Sequence, residues 1–99
     1  MAKIVFKIGS TPYTLHEHFM SGGSLTHDEA YDGKCGERIR NLPQRIKDLQ
    51  LKFEEANAVC PLMYIDEPNE YDERSHRRYF YRGFGCPHEN DPEAKAYGE

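Results

Sequence analysis

The sequence predicts a small α+β domain in which one long amphipathic helix packs on an antiparallel sheet of three or four strands, in β-β-α-β-β order. Three observations carry this. Residues 3–8 alternate in polarity, with Ile4, Phe6 and Ile8 on one side. Cys35, Ile39, Leu42, Ile46, Leu49, Phe53, Ala56 and Cys60 recur at intervals of three and four, the period of one helix face. Two short runs, Leu62 to Ile65 and Tyr79 to Phe84, are apolar or aromatic enough for strands and flank an acidic stretch.

Each element follows in chain order. The 3–8 alternation reads as a half-buried strand, Gly9-Ser10-Thr11-Pro12 as a turn, and residues 13–19 as a second, less regular strand completing a hairpin. Residues 20–34 read as a loop containing one helical turn. There Thr26-His27-Asp28-Glu29 has capping-box spacing, in which the Thr hydroxyl and the Glu carboxylate each satisfy an orphan backbone N–H. Pro43 lacks an amide donor and disfavours a helical residue before it, so the long helix starts at Asn41 or Leu42. Asp48 and Lys52 supply an i,i+4 pair on its outer side, and Cys60-Pro61 ends it. The two later strands form a hairpin with a long acidic tip, broken at Gly83-Phe84-Gly85-Cys86-Pro87.

Ninety-nine residues leave room for a single core, read as one domain over 1–87 with a polar acidic tail over 88–99. No stretch of 18 apolar residues is present, and the first residues lack the long apolar run of a secretory signal; a cytoplasmic location is expected. Three cysteines, an odd number, fit reduced thiols better than a disulfide framework. The net charge of −4 argues against a free-standing nucleic-acid binder, whose affinity comes largely from neutralising phosphates. That charge is laid down in blocks. Residues 66–73 hold five acids and no base, residues 74–82 four arginines and no acid, and residues 86–99 four acids against Lys95.

Four constellations could carry chemistry. His16 and His18 would share a face if 13–19 were a strand, and could then chelate a metal ion and centre a small hydrolase. Cys35, Cys60, Cys86 and His88 have the composition of a Cys3His zinc site, with Cys86 and His88 supplied by one turn. On a straight helix Cys35 and Cys60 would lie about 37 Å apart, so such a site needs a break near Pro43. The run Arg77, Arg78, Tyr79, Phe80, Tyr81, Arg82 and Phe84 mixes arginine with flat rings, as protein hot spots and single-strand nucleic-acid platforms do. Alternation places Arg78, Phe80, Arg82 and Phe84 on one face, with the two phenylalanines under the helix and Arg77, Tyr79 and Tyr81 on the outer face. The acidic tip, with Asp66, Glu67, Glu70, Tyr71, Asp72 and Glu73, could imitate a phosphate backbone in a basic groove.

No phosphate loop, G-x-S-x-G elbow or C-x-x-C is present, so no enzymatic activity is expected. The expected function is a small binding or inhibitor protein of phage or mobile-element type. It would block a larger host nucleic-acid-handling or defence complex through the acidic tip or the Arg77, Arg78, Tyr79, Tyr81 strand, acting as monomer or homodimer. The alternative is a zinc-stabilised single-stranded nucleic-acid module with Cys86 and His88 among its ligands. Otherwise no cofactor is expected.

Overall fold

The computed structural model describes residues 6–68 and 75–97. The class is α+β, with three α-helices and a four-stranded antiparallel sheet among the described residues. In chain order the elements are α1 (Thr11–Met20), β1 (Ser24–Thr26), α2 (His27–Tyr31), α3 (Leu42–Glu55), β2 (Leu62–Pro68), β3 (Ser75–Tyr81), a 3-10 turn (Pro87–Asn90) and β4 (Lys95–Ala96). Neighbours in the sheet run β1-β3-β2-β4.

The amino-terminal hairpin expected over 3–19 is replaced by a helix. Residues 6–8 are not in a strand, residues 3–5 lie outside the described residues, and 11–20 are α1. Ser10 caps α1 by accepting from the Tyr13 N–H at 3.4 Å, and Pro12 sits in the first turn, where its missing donor costs nothing. Leu15 and Phe19, four residues apart, are its buried pair. The same two residues also satisfy an alternating pattern, and the cap decides between them. At the end of α1, Gly22 holds a φ of +86°, and a side chain there would press within 2.9 Å of the Phe84 carbonyl.

The capping box forms as expected: the Glu29 N–H donates to Thr26 Oγ1 at 3.2 Å, and the Thr26 N–H donates to Glu29 Oε1 at 3.1 Å. The long helix starts at Leu42, with Pro43 in its first turn, and buries Leu42, Ile46, Leu49 and Phe53. It ends earlier than Cys60-Pro61. Asn57 turns left-handed at a φ of 52°, the Asn57 N–H bonds Glu54 O at 3.0 Å, and the Ala58 N–H bonds Phe53 O at 2.9 Å. These are the paired bonds of a Schellman termination. Cys35, Ile39 and Cys60 extend the apolar pattern but belong to the flanking segments. Asp48 pairs with Arg45 at 3.1 Å rather than with Lys52.

The hairpin of β2 and β3 is the spine of the sheet, in the register Leu62↔Tyr81, Tyr64↔Tyr79 and Asp66↔Arg77. The faces of β3 are opposite to the expectation. Tyr79 and Tyr81, 5% and 0% exposed, turn toward the helices and join Leu15, Phe19, Leu49 and Phe53 in the main core. Phe80, 0% exposed, turns to the other face and packs with Ile65, Cys86, Met63 and Ala94. Phe84 is 39% exposed. Within the segment read as a polar acidic tail over 88–99, Ala94 packs with Cys86 against Phe80, and β4 pairs with β2.

His16 joins the main core from α1. The Tyr81 hydroxyl, kept protonated because burial pushes its pKa up, is hydrogen-bonded with His16 Nδ1 at 2.9 Å. Phe6 stacks on the imidazole at 4.5 Å, and Phe53 approaches it at 6.0 Å. Burial, opposed in part by Glu17, lowers the His16 pKa below its ordinary 6.5. The unfolded chain therefore takes up this proton first. Its contribution to stability is complete above pH 6.5 and is lost as pH falls from there through the folded pKa. Denaturant unfolding at about pH 7.5 and about pH 5.5 checks this. The wild-type chain should lose more stability across that interval than His16→Phe; equal losses would show that His16 is not the group responsible.

Candidate functional site

The helices cover only part of their face of the sheet. Farther along the β2–β3 hairpin the same face carries Tyr64 and Asp66 on β2 and Arg77 on β3, joined by Tyr97 just after β4. Residues two apart on a strand share a face, and the antiparallel register sets Asp66 directly across from Arg77. Arg77 Nε donates to Asp66 Oδ1 at 3.2 Å, and the guanidinium carbon lies 4.1 Å from the centre of the Tyr64 ring. Tyr97 meets Tyr64 and Tyr79 edge-on, with centroids 6.5 and 6.1 Å apart. The Tyr97 N–H donates to Leu62 O at 3.0 Å and holds that ring in place.

This arrangement seats a paired cation on an aromatic floor. Burial disfavours the charged guanidinium of Arg77, but the Asp66 hydrogen bond and charge outweigh it and hold its pKa above the ordinary value. Burial pushes the Tyr79 and Tyr97 phenols up, with Arg77 pulling the other way, so both remain neutral donors. The Arg77 and Asp66 side chains keep 45% and 46% of their surface in water. The patch can therefore present a fixed fork of N–H donors, a carboxylate and ring edges to another molecule without being rebuilt.

Arg78, one residue on, has the opposite environment. Its Nε donates to Glu67 Oε1 at 2.6 Å, and its Nη1 donates to Glu29 Oε1 at 2.8 Å and to Ser24 Oγ at 3.0 Å. Burial works against its charge, yet these carboxylates hold its pKa above the ordinary value. Arg78 thus ties β3 to β2, β1 and α2, and Glu29 serves both this cluster and the capping box.

The expected site residues are distributed as follows. Arg77 is on the open patch. Arg78 and Glu67 are in the ion-pair cluster, and Tyr79 and Tyr81 are buried against the helices, so these two do not form an outer contact surface. The physical reason is that their rings fill the space beneath α1 and α3. Glu70, Tyr71, Asp72 and Glu73 lie outside the described residues. His16 and His18 stand on a helix, where residues two apart point about 200° apart, so they do not share a face. His18 Nε2 is bonded to Ser24 O at 3.1 Å. Cys86 is buried behind the sheet and His88 lies beside Phe80, whereas Cys35 and Cys60 pack at the helix-facing core. Among the described residues, no three His, Cys, Asp or Glu side chains converge to hold a metal ion. Tyr64 and Tyr97 were not singled out by the sequence. Tyr64 carries a weak signal, the Tyr-x-Asp spacing that puts it beside Asp66, while Tyr97 reaches the patch only through the sheet order.

No protein-family model, curated protein or solved structure matches the chain, so the site is read from its own geometry.

Unfolding energetics should separate the two arginines. Arg78→Leu removes the partly buried guanidinium that Glu29 and Glu67 share and should cost about 1–3 kcal/mol in denaturant unfolding. Arg77→Leu breaks one solvent-exposed pair and should cost less than about 1 kcal/mol. Equal losses would place Arg77 in the structural framework and remove it from the candidate surface.

Proposed function

We propose that the chain is a non-enzymatic binding protein that occupies a charged surface of a larger protein complex through the Arg77 patch and the acidic residues Glu70, Asp72 and Glu73. The observation that carries this is the half-exposed Arg77 guanidinium, held by Asp66 and seated on Tyr64 where the helices leave the sheet uncovered. Arginine and tyrosine fixed in this way lose little freedom on binding, which is why they recur as anchors of protein interfaces. In the sequence, Glu70, Asp72 and Glu73 lie between Asp66 and Arg77. A positive anchor together with a negative run suits a partner with charges of both signs, and the acids suit a groove built to hold phosphates. An inhibitor of a host nucleic-acid-handling or defence complex, of the kind phages and mobile elements carry, fits that chemistry.

This reading is preferred to a single-strand nucleic-acid platform because Phe80 is 0% exposed and Arg78 is engaged by two carboxylates. Neither is available to stack on bases or neutralise a phosphate backbone.

The test uses the full chain immobilised against host lysate, followed by purification of whatever complex it retains and assay of that complex's activity. Arg77→Glu and the combined reversal of Glu70, Asp72 and Glu73 to lysine should each slow association about tenfold or more at low salt. Each should also relieve inhibition while leaving the folded fraction unchanged. Retention and inhibition unaltered by both variants would overturn the proposal.

A further inference from the structure

A second recess lies elsewhere on the sheet and involves none of the Arg77 patch. A cleft of about 330 Å³ opens where β2 begins, lined by residues 59–63 together with Arg82 and Ala96. Its walls are mainly apolar. Val59 stands 93% exposed at the rim, Leu62 is buried, and Met63 is an unbranched side chain able to adapt to what it touches. Burial raises the Cys60 pKa, so its thiol stays protonated and adds to the apolar wall. Arg82 is the exception. Its backbone N–H is anchored to Pro61 O at 2.9 Å, which keeps the residue beside the cleft while its side chain is exposed. Arg45, Arg77 and Arg78 each hold a carboxylate, but among the described residues no carboxylate pairs with Arg82.

The edge of the sheet adds a third feature. β4 is an outer strand, paired with β2 through Met63↔Ala96 and Tyr64↔Lys95. The Tyr97 N–H turns inward to Leu62 O, so by the two-residue alternation of an antiparallel ladder the N–H and C=O of Ala96 turn outward. An apolar cleft, an unpaired cation and outward-facing backbone groups therefore meet at one corner.

We infer that this corner is a peptide site. It takes an extended segment of a partner protein that carries a large apolar side chain next to a carboxylate. The side chain fills the cleft, the carboxylate meets Arg82, and the segment's backbone bonds to Ala96 at the sheet edge. Arg82, one of the block of arginines in the sequence, so acts on a separate surface from Arg77.

The experiment is a titration of the isotope-labelled full chain, followed by amide chemical shifts, with N-acetyl-leucine as the smallest probe holding all three features. Saturable shifts should appear at residues 59–63, 82 and 96, with a dissociation constant of about a few millimolar, the range set by so few atoms. N-acetyl-leucinamide, which lacks the charge, should bind about three- to five-fold more weakly, the worth of one exposed ion pair. Hexanoate, which lacks the peptide group, should also bind more weakly. Arg82→Gln should make acid and amide bind alike, and Val59→Ser should weaken both; each replaces an exposed side chain, and the same spectra report whether the fold is kept. Absent or scattered shifts, equal binding of acid and amide to the wild-type chain, or hexanoate binding as tightly as N-acetyl-leucine would each overturn the inference.

Discussion

The structure depends on β3 being buried on both faces. Tyr79 and Tyr81 enter the core beneath the helices, and Phe80 between them enters a second cluster behind the sheet. A strand with rings on both sides cannot lie at a surface, since each exposed ring would forfeit about 2 kcal/mol or more of burial. Both faces must therefore be covered. α1 and α3 close one, and the segment carrying Cys86 and Ala94 closes the other. The central place of β3 between β1 and β2 follows from the same requirement.

This arrangement separates the fates of neighbouring charges. Arg77 and Arg78 are adjacent in sequence and point to opposite faces of one strand. Behind the sheet, Arg78 reaches Glu67 and Glu29, where restricted solvent makes a charge tolerable only if it is paired. On the helix side, Arg77 rests on Tyr64, with water around nearly half of its side chain. One arginine holds elements together and the other is presented to the outside. The strand's period of two produces that difference.

His16 shows how a polar residue enters such a core. Its ring lies between Phe6 and Phe53 and takes the hydroxyl of Tyr81 as its partner, so the one polar atom that Tyr81 brings inside is satisfied. The same contact couples residue 6 to the core ahead of α1. Two histidines that alternation would place side by side on a strand are assigned to separate structural bonds, to Tyr81 and to Ser24.

Local signals in the sequence determined the capping box at Thr26 and Glu29, the start of the long helix at Pro43, its buried stripe from Leu42 to Phe53 and the two strands of the hairpin. Each depends on spacing within a few residues. Apolar periodicity did not separate helix from strand at 11–20, because Leu15 and Phe19 satisfy both periods; the Ser10 cap, a signal outside that periodicity, and the packing on α3 choose between them. It also did not orient β3, since a run of rings is apolar in either register and the coverage of both faces decides which side each takes. Tyr97 joins Tyr64 because β4 returns to the edge of β2 from a distant part of the chain. The arginine, the aromatics and the acids that compose the candidate surface were legible as residues. Their sorting into a buried set and an exposed set belongs to the tertiary structure, because burial depends on where the helices end and not on the identity of a neighbour in sequence.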